Sequence, residues 1–495
     1  MNQEENTMTE AQLADRSRWI ALYVLCAGML MIVLDATVVN VALPTIQTDL
    51  GFSSSSLAWV MNAYLIAFGG LLLLSGRLGD LISRRGIFLV GLTVFTIASL
   101  VCGAAQSPEM LVGARFVQGV GGAMTSAVIL GMIVTMFSDP REQAKAIGVY
   151  AFVASAGGSI GLLLGGVITQ VINWHWIFFV NIPIGIATGV AATRLLAKDR
   201  GIGFGSGADI PGAVLITSGL MLAVYTIVKP AAENGWGDPT TLLFLAGSLA
   251  LIVAFVVREA TAKNPLIPLR IFRSRNVSGA NLIQALTVAG MFGTFFLGTL
   301  YLQRILGYDA LETGLAFLPT SLVMGTVSLK FSERLFMRFG ARTTLIPGLA
   351  LIALSLAWLA RAPGDGEYWT AVFPSMIVLG AGVGTAFPAL MTLSMSGATP
   401  QDAGLASGLV NTTMQVGGAL GLAVLATLAA TRTDHAVASG HSHAAALLSG
   451  YHLAFAIGAA LVVLSLIVAI VVLKPERVAA AEHAIEGEPV YADAV

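Results

Sequence analysis

Trp19 to Leu43 reads WIALYVLCAGMLMIVLDATVVNVAL, and Asp35 is its one charged residue. About 20 mostly apolar residues suffice for a helix to cross the hydrocarbon core of a bilayer. The stretch therefore reads as one membrane crossing with a carboxyl inside it. Similar runs recur near 57–76, 86–106, 109–137, 144–170, 177–196, 211–229, 241–258, 277–303, 312–330, 344–361, 369–395, 403–430 and 451–473. With the first run they make fourteen candidate spans, and the chain reads as an all-α polytopic membrane protein.

Composition supports this reading. Hydrophobic residues are 56% of the 495 and charged residues 11%, against about 25% charged in an average soluble domain. A soluble surface of this size needs more charge, whereas lipid accepts apolar surface. The formal net charge of −1 gives no basic field for nucleic acid. Cys26 and Cys102 fall in apolar runs and read as small core residues. The polar N-terminus has neither a basic leader nor a small-residue cleavage site, so the first span is read as uncleaved.

Lys and Arg orient the spans, because short cytoplasmic loops collect them. With the N-terminus inside, 21 of the 26 fall in inside segments, four in outside loops, and Arg115 within a span. Both termini are expected in the cytoplasm, at the plasma or inner membrane. The loop Gly76 to Gly86 (GRLGDLISRRG) resembles Glu333 to Arg342 (ERLFMRFGAR). Aligning Arg84 with Arg342 gives an offset of 258, and Trp19 and Val277, where spans one and nine begin, repeat it. The expected organisation is a tail at 1–18, a six-helix half at 19–197, two extra helices with linkers at 198–275, a second half at 276–473 and a tail at 474–495. Repeats of this kind place a transporter's substrate site at their interface.

Other chemistry is poorly supported. Gly201 to Gly207 (GIGFGSG) follows no strand, so it reads as a flexible loop. No GxxxxGK[ST] phosphate loop occurs, which argues against a nucleotide-driven pump. His435, His441 and His443 sit in a Gly/Ser-rich outer loop, a poor metal site. No catalytic constellation has a supporting motif, so neither enzyme chemistry nor a cofactor is expected.

Four motifs carry a resemblance. They are Leu34 to Pro44 (LDATVVNVALP), Gly76 to Arg85, Arg115 to Ala123 (RFVQGVGGA) and Gly161 to Gly166 (GLLLGG), followed by Trp176 to Gly185 (WIFFVNIPIG). Over residues 19–473 the chain resembles the major facilitator superfamily, specifically its fourteen-span drug/proton antiporters. It departs from the pattern at Leu81 and Ser83, where a basic residue and a glycine are usual, and at Leu162, where proline is preferred. The resemblance implies that Arg115 belongs to the coupling machinery near the first-helix acid. It also implies that the Asp80, Arg84, Arg85 loop latches the cytoplasmic side during alternating access.

The residues can be read physically as well. An ionised carboxylate inside a span costs about 2.5–3.5 kcal/mol on insertion scales, so Asp35 must be paired, face water or carry a proton. If it lies near the outer interface, it is merely solvated. Arg115 either couples to Asp35 or snorkels to the interface. Asp80 is expected near the start of helix three, where the dipole favours an anion, paired with Arg84 at i+4. Gly157, Gly161 and Gly165, with Gly166 beside them, strip one face of helix five for close packing, as do Gly380 and Gly384, and Gly417 and Gly421. Such a stripe serves either as a rocking surface or as static packing. Asn62, Tyr64, Asn411, Gln415, Phe292 and Phe296 are candidate contacts for a small hydrophobic substrate.

The expected function is proton-coupled export of hydrophobic, by expectation cationic, drugs or secondary metabolites. The partners are then the substrate, protons and membrane lipid, with no nucleotide and no nucleic acid. A nutrient symporter of the same superfamily and a non-transporting receptor or scaffold are the alternatives.

Overall fold

The computed structural model describes residues 2–53, 56–137, 139–201, 203, 209–395 and 403–473. Each expected span is a helix: α1 Asn2–Leu50, α2 Trp59–Leu81, α3 Arg84–Gly103, α4 Pro108–Met136, α5 Pro140–Val171, α6 Trp176–Leu195, α7 Ile210–Val228, α8 Pro239–Thr261, α9 Arg275–Arg304, α10 Ala310–Lys330, α11 Ala341–Leu359, α12 Phe373–Met395, α13 Ala403–Ala438 and α14 His443–Val472. Among the described residues, thirteen of these are long and apolar enough to cross a membrane, and α5 contributes the shorter apolar stretch Ile160–Val171. The expected polar tail before Trp19 continues the α1 helix. The tail at 474–495 lies outside the described residues.

Polar caps set where several helices begin. Ser107 accepts from Met110 N and precedes Pro108 at α4, Ser274 accepts from Val277 N at α9, and Asp309 with Glu312 closes a capping box at α10. Each supplies an acceptor for amides that the helix itself leaves free.

The helices pack as two groups of six. In the first, α4 lies on α2 and α3, and α1 lies on α5 and α6; in the second, α9 lies on α13 and α14, and α12 on α10 and α11. The groups meet along α5–α10 and α2–α13, and the α7–α8 hairpin lays α7 against both α2 and α13. At the end opposite the basic loops, Val38 to Ile46 of α1 join one apolar cluster with Leu297 to Leu302 of α9 and Leu422 to Ala429 of α13. There Gln303 Nε2 donates to Val41 O at 2.9 Å, and Arg304 donates to Gln47 Oε1.

Glycine makes the close packing possible. A Cβ at Gly157 would lie 3.0 Å from Leu30 Cδ1, and one at Gly165 2.7 Å from Val38 O, both on α1. Gly166 faces the other half instead, its Cβ position 2.6 Å from Ala310 O. Gly384 abuts Met324 O of α10, and Gly417 abuts Ala285 of α9.

Two expectations fail near the α2–α3 loop. Asp80 is in the last turn of α2, not at the start of α3, because the helix breaks at Ile82 and Ser83. The anion at the α3 N-terminus is Asp199. It accepts from Ser83 Oγ at 2.6 Å, Arg84 N at 2.6 Å and Arg85 N at 3.2 Å. The glycine-rich loop after it is held in place where it is described. Gly201 N donates to Ile82 O and Gly203 N to Leu81 O.

Candidate functional site

The candidate site is a buried polar cluster inside the first group of helices. Asp35 on α1 is 1% exposed and Arg115 on α4 is 0% exposed, which excludes both interfacial solvation and snorkelling. Arg115 enters helix four about two turns from its start, and that depth places its guanidinium beside α1. Arg115 Nη1 donates to Asp35 Oδ2 at 2.5 Å.

Four helices supply the rest. Gln118, one turn after Arg115 on the same α4 face, donates from Nε2 to Asp35 Oδ1 at 2.7 Å and accepts from Arg115 Nη1 at 2.7 Å. Asn181 of α6 donates to the same Oδ1 at 2.9 Å. Ser99 Oγ of α3 accepts from Gln118 at 2.8 Å. Arg115 Nε donates to Val60 O of α2 at 3.0 Å. The guanidinium carbon lies 4.3 Å from the Tyr64 ring centroid, a cation–π contact strengthened by burial.

Both ions are thus dry and multiply bonded. Burying an ion costs several kcal/mol, recovered only with good geometry, and removing one partner of such a pair costs about 3–5 kcal/mol. The Asp35 carboxylate accepts from three side chains, while Arg115 Nη2 and Asn181 Oδ1 are buried without a hydrogen-bond partner among the described residues. Residues of α1, α2, α3, α4 and α6 thus meet around one buried ion pair.

Two sequence-expected sites take different shapes. Arg84 bridges the α2–α3 break, pairing with Asp80 at 2.9 Å and donating to Gly131 O of α4 at 3.1 Å. Arg85 donates to Thr193 O near the end of α6 at 2.6 Å. Arg342 donates to Ile470 O near the end of α14 at 2.6 Å. Each is the second residue of its helix, so Arg342 corresponds structurally to Arg85 rather than Arg84. The repeat is one residue off the sequence alignment there.

Of the six candidate substrate contacts, Tyr64 and Phe292 join one apolar cluster with Val416 and Leu420 of α13, whereas Phe296 lies in another. Tyr64 is fully buried beneath Arg115 and belongs to the charge cluster. Phe296 is buried in the apolar plug at the end opposite the basic loops. Phe292 packs on Gly418. Asn62 is fully buried, and neither of its amide atoms has a partner among the described residues. Gln415 touches Gly69 across the seam between the halves, one turn beyond Asn411 on α13. Gln118, Asn181 and Ser99 are the residues that sequence reasoning did not assign. The signal was there for two of them: Gln118 is i+3 from Arg115, and Asn181 interrupts the apolar run WIFFV.

Residues 25–422 match the family model described as Major Facilitator Superfamily. The chain belongs to the Major Facilitator Superfamily. It is accordingly a multi-pass membrane transporter and not an enzyme. The puromycin resistance protein pur8 of Streptomyces alboniger is 39% identical over 474 residues, covering 94% of each chain. The cephamycin export protein CmcT of Amycolatopsis lactamdurans is 41% identical over 425 residues, covering 86% of this chain and 87% of that protein. Among solved structures, an inward-facing bacterial homologue of the human lysosomal transporter Spinster matches with a TM-score of 0.67 at 16% identity, over 92% of this chain and 96% of that one. That likeness shows the facilitator fold.

Proposed function

We propose that this transporter exports hydrophobic, chiefly cationic, drugs or secondary metabolites from the cell in exchange for protons. It sits in the plasma or inner membrane with both termini cytoplasmic. The observation that carries the reading is the dry Asp35–Arg115 pair in α1 and α4. Relatives whose names specify antibiotic export or resistance support an outward direction and an antibiotic-like cargo. The basic loops support the orientation.

The mechanism follows from two occupants competing for one two-state protein. With Asp35 ionised, Arg115, Gln118 and Asn181 bind it and draw α1, α4 and α6 together. A proton from the acidic outside neutralises the carboxyl and weakens those bonds. The Arg115 charge is then left to Val60 O, Gln118 and the Tyr64 ring. The helices repack, and the altered first half favours one face of the membrane over the other. The substrate favours the opposite population, so each occupant drives the other across. The Asp80–Arg84–Gly131 contact at the α2–α3 break latches the cytoplasmic side, and Asp199 braces it. Between the halves, Asn62 and Gln415 are the polar contacts offered to the substrate when the seam parts.

The test uses cells lacking their own efflux pumps. Cells expressing this chain should accumulate less ethidium than cells expressing an Asp35→Asn variant at equal membrane abundance. Equal accumulation in the two would remove Asp35 from the mechanism.

A further inference from the structure

A second set of ionisable groups lies where the inserted hairpin closes at the basic end. Asp209 caps α7, accepting from Gly212 N at 3.1 Å. Arg258, in the last turn of α8, donates from Nε to both Asp209 oxygens, at 3.0 and 3.2 Å. The next residue, Glu259, is 3% exposed. Its Oε2 accepts from Ile267 N at 2.7 Å, which folds the linker after α8 back onto the hairpin. Its Oε1 is buried and has no hydrogen-bond partner among the described residues.

Gly212 shows where that oxygen points. A Cβ there would lie 2.8 Å from Asp209 Oδ2 and 2.9 Å from Glu259 Oε1, so the two carboxyls converge over a residue that leaves them room. Their surroundings differ. Asp209 accepts from an amide and a guanidinium, which favour its ionised form. Glu259 Oε1 faces an acceptor and meets no donor. Asp209 of α7 and Arg258 of α8 are the charged groups that act on Glu259 among the described residues. The other neighbours are apolar: α2 presents Leu71, Leu74 and Leu78, and the linker presents Leu266 and Ile267.

We propose that Glu259 is a second proton-binding site, in which Oε1 carries a proton at neutral pH and donates it to Asp209 Oδ2, clasping α7, α8 and the linker together. Two carboxylates that share a dry site with a single guanidinium repel each other, which favours one of them keeping its proton. Asp209 has the donors, so the proton rests on Glu259. A metal ion is a poorer occupant, because it needs about six oxygen ligands and Arg258 already holds Asp209. The linker that Glu259 holds leads to Ile271, which packs with Val277 of α9 and Leu409 of α13. Losing the proton, when the solution at the basic end turns alkaline, sets two charges against each other over Gly212 and loosens the hairpin from both halves. The site is separate from Asp35 and holds whether or not the protein exports anything.

Infrared spectra of the purified protein read this proton directly. At neutral pH, wild type should show a protonated-carboxyl carbonyl band that Glu259→Gln loses. Asp209→Asn should lose the same band, because without the neighbouring charge Glu259 ionises beside Arg258. A band that persists in either variant, or is missing from wild type, overturns the proposal. Thermal unfolding gives a second readout. A glutamate that is protonated in the fold but ionises near its ordinary value, about pH 4, in the unfolded chain loses stabilising effect as pH rises between the two. The wild-type midpoint should therefore fall relative to that of Glu259→Gln by at least about 2 °C between about pH 5 and pH 7. A constant gap over that range means that Glu259 is ionised in the folded protein and overturns the site. A wild-type midpoint that follows added sodium instead of acid overturns the proton as its occupant.

Discussion

Replacing the Asp35 carboxyl by an amide leaves the Arg115 guanidinium in a dry site without its counter-charge. Asp35→Asn should reduce proton-driven export at least about tenfold, because Arg115 can no longer lose and regain a partner on protonation. Monodisperse gel filtration of the variant would show that it folds; near-wild-type export would exclude the carboxyl from coupling. Arg115→Lys should retain more transport than Arg115→Ala, and both should fall below wild type. A lysine keeps a charge for Asp35 but lacks the planar donors that also reach Val60 and Gln118. Identical antiport rates in both variants, close to wild type, would refute the role of Arg115. Asp35 and Arg115 were legible in the sequence because isolated charges inside apolar runs stand out. Gln118 and Asn181 gave a fainter signal and Ser99 none, because an uncharged polar residue in a span is common and the Asp35 carboxyl that they surround lies on another helix. The contact of Tyr64 with Arg115 was not legible either, because sequence does not show which face of α2 meets Arg115.

At the scale of elements, the α5 glycines make a sharp comparison. Gly165→Val should lower the thermal midpoint by several degrees, since its Cβ meets Val38 O at 2.7 Å and helix backbones cannot yield as side chains do. Gly158→Ala should leave the midpoint unchanged or raise it, because alanine favours a helix by about 1 kcal/mol over glycine where space allows. Unfolding followed by intrinsic fluorescence checks both; a larger drop for Gly158→Ala would contradict the packing described. A second element-scale case is the α3 cap. Burial pushes the Asp199 carboxyl up, but donors from Ser83 and the Arg84 and Arg85 amides outweigh it and hold it below the usual carboxylate range. A carboxyl lowered in the folded state stabilises above its unfolded value, about pH 4, and that contribution fades as pH falls through its own lower value. Asp199→Ala should therefore be less stable than wild type at pH 7, and the gap should narrow on acidification below about pH 4. A gap that widens there would contradict the cap. Helix positions and glycine stripes could be read because their periodicity is local. The break at Ile82 and Ser83 could not, so Asp80 was placed one helix too late and Asp199, more than a hundred residues away, went unnoticed as the true cap.

Across the whole molecule, one buried charge pair lies in the first half, and the second half meets the first along α5–α10 and α2–α13. The fourteen helices and the two-half plan were legible in the sequence because hydrophobic length and basic loops repeat with nearly constant spacing. The docking of the α7–α8 hairpin against α2 and α13 was not, since the spans of the hairpin show no periodicity that marks which face meets them. The central claim is that the proton gradient drives the solute through exchange at Asp35. The most direct measurement uses the purified protein in sealed liposomes with an imposed pH gradient, no nucleotide and ethidium as the reporter. Ethidium movement should follow the gradient, stop when a protonophore collapses it, and be absent with Asp35→Asn. Movement that persists after collapse and follows a sodium gradient or added ATP would contradict it.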